Sequence, residues 1–88
     1  MDLTLMRSLL AVAEYGAITR AANALHLTQP TLSRRIQQLE EMLGTELLVR
    51  SRKGVSLTEM GRLVVQEGRI SPLFSTESIV IVVLFLII

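Results

Sequence analysis

The side chains best equipped for chemistry in this 88-residue chain lie in "LTQPTLSRRIQQ", residues 27–38. Gln29 carries an amide that can give and take a hydrogen bond at once, a pairing that suits the edge of adenine. Arg34 carries a planar fork of donors that fits guanine or a phosphate. Pro30 and Thr31 offer apolar contact, for instance to a thymine methyl. The hydroxyls of Thr28 and Ser33, with the free N–H groups of a helix start, suit phosphate oxygens. Gln37 continues the same polar side. A second group, Arg50, Arg52 and Lys53 in "VRSRKG", supplies cations for phosphates or a narrow minor groove. Arg52 and Lys53 stand at a turn. Arg50 has a competing structural role, pairing with Glu46 or Glu59. For the whole surface the competing reading is an ordinary solvated face.

Other chemistries lack their parts. His26 is the single histidine and the chain has no cysteine, so neither a metal site nor a thiol nucleophile can be assembled. His26 reads as a turn residue. Glu40 and Glu41 are adjacent and point about 100° apart on a helix, so they are not a paired acid and base. No glycine loop suits a phosphate. The residues predict no enzyme, no catalytic group, no metal and no cofactor.

Net charge is only +1, which argues for no partner by itself. The placement of charge says more. Five of the nine basic residues fall in two acid-free windows, 28–39 and 47–58, which is a footprint rather than a background. Absence of cysteine fits a reducing cytoplasm, and "MDLTLMRSLLAV" lacks the pattern of a signal peptide.

Something must position these groups. Leu32, Ile36, Leu39 and Leu43 recur at helical spacing and give residues 29–43 a core-facing stripe. Opposite lie Pro30, Arg34, Gln37 and Glu41. Thr28 is a good N-cap, Pro30 sits where its missing N–H costs nothing, and Gly44 supplies a left-handed stop. Upstream, Leu3, Met6, Leu9 or Leu10 and Ala13 mark a helix over 3–15 ended by Gly16. Ile18, Ala21, Ala22 and Leu25 mark a short second helix. Two short helices joined by so tight a turn form a helix-turn-helix, spanning about 18–37. "TELLVR" and "VSL" around "SRKG" predict a β-hairpin wing. Thr58 caps a fourth helix through about Gly68, with Leu63 and Val64 as its buried side. The predicted fold is mainly α: a winged helix-turn-helix with a three-helix core, a short hairpin wing and the start of a linker helix.

The stretch "AITRAANALHLTQPTLSRRIQQLEEMLGTELLVRSRKGVSLTEMG" resembles the DNA-binding end of LysR-type transcriptional regulators. The resemblance rests on Arg-Ala-Ala in the second helix, His-Leu-Thr-Gln-Pro at the turn and Leu-Ser-Arg with Ile-x-x-Leu-Glu in the third helix. Leu-Gly, Leu-x-x-Arg in the wing and Leu-Thr-Glu-x-Gly complete it, in register over residues 1 to about 69. It implies that Gln29, Pro30, Ser33 and Arg34 lie at DNA. It further implies a linker helix that forms homodimers, then a ligand-sensing domain for which this chain has no room. Departures are Ala17 where Ser is frequent, Leu48 for Phe and Met60 for Ala.

These readings divide the chain into a DNA-binding domain over 1–58, the start of a linker and dimerisation helix over 59–69, and an apolar tail over 70–88 unlike the family. The expected function is sequence-specific binding of double-stranded DNA in transcriptional control. It is expected in the cytoplasm, as a fragment without an effector site. Two alternatives stay open: a truncated or frame-shifted remnant with no DNA function, or a fragment that poisons the dimers of a full-length relative. The tail run Ile79 to Ile88 is ten uncharged apolar residues, about half of what a bilayer-spanning helix needs. A membrane role is therefore not expected, and self-association through the tail is.

Overall fold

The structure, a computed structural model, describes residues 4–70. The expectations for Leu3 and for the tail beyond Ile70 lie outside those residues. Element order is α1 Thr4–Tyr15, α2 Ile18–Ala24, α3 Gln29–Leu43, β1 Leu48–Ser51, β2 Gly54–Leu57 and α4 Glu59–Ile70. The architecture is a mainly helical winged helix-turn-helix, as the sequence pattern predicts.

α1 packs against α2, α3 and α4, so it is the post around which the others stand. Its buried residues are Met6, Ser8, Leu9, Ala11 and Val12. Met6 and Leu9 are inside as expected; the correction is at Ala13, which is only half-buried, as is Leu10, while Val12 and Ser8 are inside. A helix with neighbours on several sides buries a wider arc than one stripe contains. Ser8 is tolerated there because its hydroxyl donates to the Thr4 carbonyl at 2.9 Å, so its polar atom is paired. On α2, Ala21 and Ala22 are fully covered, and their small size lets α2 lie close to α1 and α3. Ala17 stands at the N-cap of α2 in extended conformation and offers no side-chain bond to it.

α3 buries Leu32, Ile36, Leu39 and Leu43, the stripe expected from spacing. On α4 the expected side was Leu63 and Val64. Val64 and Val65 are the buried pair, and Leu63 is half-exposed beside Met60 and Thr45. The correction is a rotation of the helix by one residue. Its cause is Gly61, whose Cα faces the backbone of Leu47 with no room for a methyl group. Docking through Gly61 brings Val64 and Val65 over the core and turns Leu63 to the side. α4 also continues to Ile70, two residues past the expected Gly68; a Cβ on Gly68 would lie nearest the flexible Met6 side chain.

Candidate nucleic-acid interface

The turn between α2 and α3 decides how the start of α3 is presented. After Ala24 the chain reverses through His26, which has φ 57°, in the left-handed region. The His26 N–H donates to the Asn23 carbonyl at 3.2 Å and the Leu27 N–H to the Ala22 carbonyl at 2.8 Å. These are the two bonds of a Schellman stop, built here on a histidine, one of the residue types that tolerate this region. His26 thus serves the backbone, as a turn residue.

Three residues later α3 begins. The Thr28 hydroxyl accepts from the Thr31 N–H at 3.3 Å and donates to the Thr31 hydroxyl at 2.8 Å. One cap therefore fixes the first turn and orients a second hydroxyl beside it. Thr28, Gln29 and Pro30 are exposed, as are Arg34 and Gln37, while Thr31 and Ser33 are half-buried. Gln29, Pro30, Ser33, Arg34 and Gln37 follow one another along the outward side because Leu32 and Ile36 hold the opposite side in the core. Arg35, half-buried, leans away from that side. The N-terminal end of α3 also points its unpaired N–H groups outward, an electropositive end with no acidic residue in the first turn.

The wing is an antiparallel pair in which Leu48 faces Leu57, Arg50 faces Val55 and Ser51 faces Gly54. That register leaves Arg52 and Lys53 alone at the tip, both exposed. Neither has positive φ; Gly54, at φ 124°, absorbs the backbone demand of the tight turn. The Lys53 N–H donates to the Ser51 hydroxyl at 3.3 Å, which closes the tip. Alternation along the strand puts Arg50 on the same face as Leu48, Val55 and Leu57, with its end in solvent. Below this face, between the wing and α1, lies a cleft of about 250 Å³ lined by Val12, Ala13, Leu48, Val55 and Leu57 among others.

Two groups hold the wing in place through contacts the spacing does not show, Glu40 and the expected cap Thr58. The Glu40 carboxylate accepts from the Leu47 N–H at 2.7 Å and from the Leu48 N–H at 3.4 Å. Thr58 donates its hydroxyl to the Glu46 carbonyl at 2.7 Å while accepting from the Gly61 N–H at 2.9 Å. The expected cap of α4 is therefore also a tie to the wing's entry strand. From sequence Glu40 reads as an ordinary helix glutamate; its N–H partners come from a segment seven and eight residues further along the chain. Among the described residues no group of three or more acidic, histidine or cysteine side chains could hold a metal ion. No helix among them is long and apolar enough to cross a membrane.

Comparison with known proteins agrees with this geometry. Residues 3–62 match the family described as bacterial regulatory helix-turn-helix protein, lysR family. The chain belongs to the LysR family. Among its relatives is the SDS degradation transcriptional activation protein of Pseudomonas sp. (strain ATCC 19151), 52% identical over 68 residues that make up 77% of this chain and 22% of that protein. Another is the probable cat1 operon transcriptional activator of Acinetobacter lwoffii, 48% identical over 68 residues, with the same coverage of 77% and 22%. This LysR-family chain thus spans about a fifth of the length of the curated relatives it matches. Among solved structures, a CbnR DBD–DNA complex superposes with TM-score 0.75 at 39% identity, covering 78% of this chain and 79% of that one. A BenM DBD complex with catB site 1 DNA superposes with TM-score 0.75 at 42% identity, covering 78% of each chain. The relatives named here are transcriptional regulators.

Proposed function

We propose that this chain binds double-stranded DNA in a sequence-specific manner and serves transcriptional regulation, as a homodimer through α4. The observation that carries the reading is the start of α3. A capped, proline-stiffened, acid-free helix end presents Gln29, Pro30, Ser33 and Arg34 to solvent in one row, with Thr28, Thr31 and Gln37 beside them. A helix entering the major groove meets base edges with such N-terminal residues. Gln29 and Arg34 take the base edges, Pro30 and Thr31 the thymine methyls, and Thr28 and Ser33 the phosphates. Arg52 and Lys53 at the wing tip take phosphates or the adjacent minor groove, and Arg50 supports them from the strand. Support comes from the similarity in fold and sequence to the CbnR and BenM domains solved with DNA.

In this reading residues 1–58 form the DNA-binding unit and α4 opens the dimerisation helix. Met60 and Leu63, half-exposed on α4 above a groove shared with Thr45 and Glu46, are the apolar side it offers. A regulator of this type acts where the chromosome is, in the cytoplasm, and its chemistry is recognition without catalysis. The test is selection from a pool of random duplexes. Enrichment of one sequence, often with a second half-site related by two-fold symmetry, supports the proposal. Recovery of an unenriched pool contradicts sequence-specific binding.

A further inference from the structure

Among the described residues, the Glu40 side chain ties two elements of the interface together through the backbone. Its carboxylate, on α3, holds the N–H groups of Leu47 and Leu48, where β1 begins. Its own carbonyl accepts the N–H groups of Gly44 and Thr45. One residue thus ends the recognition helix and starts the wing. Leu47, fully covered, is fixed from the other side as well: its carbonyl accepts the Thr58 N–H at 3.0 Å, and Gly61 lies against it.

We propose that Glu40 is a positioning residue for DNA binding: its carboxylate sets the wing tip, Arg52 and Lys53, relative to the start of α3. The inference rests on the DNA-binding reading above. Between Gly44 and Leu48 no regular element carries the chain, so the angle of the hairpin depends on what grips this segment. A charged acceptor makes a stronger bond than a neutral one, so a glutamine amide oxygen, which could reach the same two N–H groups, would hold them more weakly than the carboxylate does. The two basic side chains at the tip are useful only if the hairpin reaches the duplex that α3 has entered.

The sign of one substitution separates this role from simple electrostatics. Glu40→Gln removes a negative charge from a protein that binds a polyanion, and charge alone would tighten binding. A positioning role predicts the reverse. The full 88-residue chain is compared as wild type, Glu40→Gln, Lys53→Ala and the double variant, by titration of a mixed-sequence duplex at several salt concentrations. Amide hydrogen exchange of the free proteins is followed alongside. The expected result is roughly tenfold faster exchange at Leu47 and Leu48 in Glu40→Gln, with Ile36 and Leu39 unchanged, as for the local opening of a weakened tie. Affinity falls, the salt dependence flattens toward that of Lys53→Ala, and the double variant is little weaker than either single one. Tighter or unchanged binding overturns the proposal, as does a loss from Glu40→Gln that adds fully to that from Lys53→Ala. Loss of protection throughout α3 and α4 also overturns it, since Glu40 would then be a general support of the fold. Should Glu40→Gln not fold, Glu40→Asp, which keeps the charge but falls one methylene short, must give the same local pattern. If the wild-type chain ignores the duplex while the exchange result holds, the DNA-binding reading falls and the tie between α3 and the wing stands.

Discussion

Gly61 and Leu47 touch through their backbones: a methyl group on Gly61 would fall on the Leu47 carbonyl. This contact sets the rotation of α4, and with it which side chains reach the core. It also seats α4 against the segment that Glu40 and Thr58 tie down. The wing, α3 and α4 therefore meet at one residue of irregular backbone.

Gly61→Ala tests that contact by its sign. In an unhindered helix the change would stabilise by about 1 kcal/mol. Here α4 has to move off Leu47, and the expected outcome is a loss of about 1–3 kcal/mol, the usual cost of overpacking. Urea unfolding followed by circular dichroism measures it. A gain in stability would mean that α4 does not pack in this way.

Ala17→Ser should act in the opposite direction. Ala17 holds the extended conformation of an N-cap but gives α2 no side-chain acceptor. A serine hydroxyl there can accept a free N–H of the first turn, and a gain of about 1 kcal/mol in unfolding free energy is expected. Unchanged stability would show that solvent already serves those groups equally well.

Thr28→Ala removes the cap that starts α3. Its expected cost is about 1 kcal/mol of stability, with weaker DNA binding as the first turn frays. Thr28→Ser, which keeps the hydroxyl, should retain both. Equal behaviour of the alanine and serine variants would remove the cap from the account.

Lys53→Ala should weaken binding to all duplexes alike. If Lys53 neutralises one phosphate, the slope of log affinity against log salt flattens by about 0.9. An unchanged slope would place the wing tip away from DNA.

Much of this was legible in the sequence, for identifiable reasons. α3 was clear because its start, stop and stripe are all local: Thr28, Pro30, Gly44 and four aliphatic residues at helical spacing state the same element. The wing was clear because a basic, glycine-containing turn separates two short β-rich runs. The buried sides of α1 and α4 were less clear, since which of Leu63, Val64 and Val65 goes inside depends on where Gly61 meets Leu47, a contact between residues fourteen apart. The tie from Glu40 was hidden for the same reason. A glutamate beside Glu41 on a helix looks solvated until the chain folds back and offers it two N–H groups. In the candidate interface the exposed positions followed from the helix period, while their hold on the wing came from tertiary bonds that no period encodes.

The central claim is that the start of α3 reads base sequence, and Arg34 tests it most directly. Wild type and Arg34→Ala are titrated against the duplex enriched from a random pool and against a scrambled duplex of the same composition. If Arg34 pairs with a base, the substitution weakens the enriched duplex by about 1–3 kcal/mol and the scrambled one far less, so that discrimination shrinks. Equal weakening on both would assign Arg34 to a phosphate. Unchanged affinity for both duplexes would contradict the account.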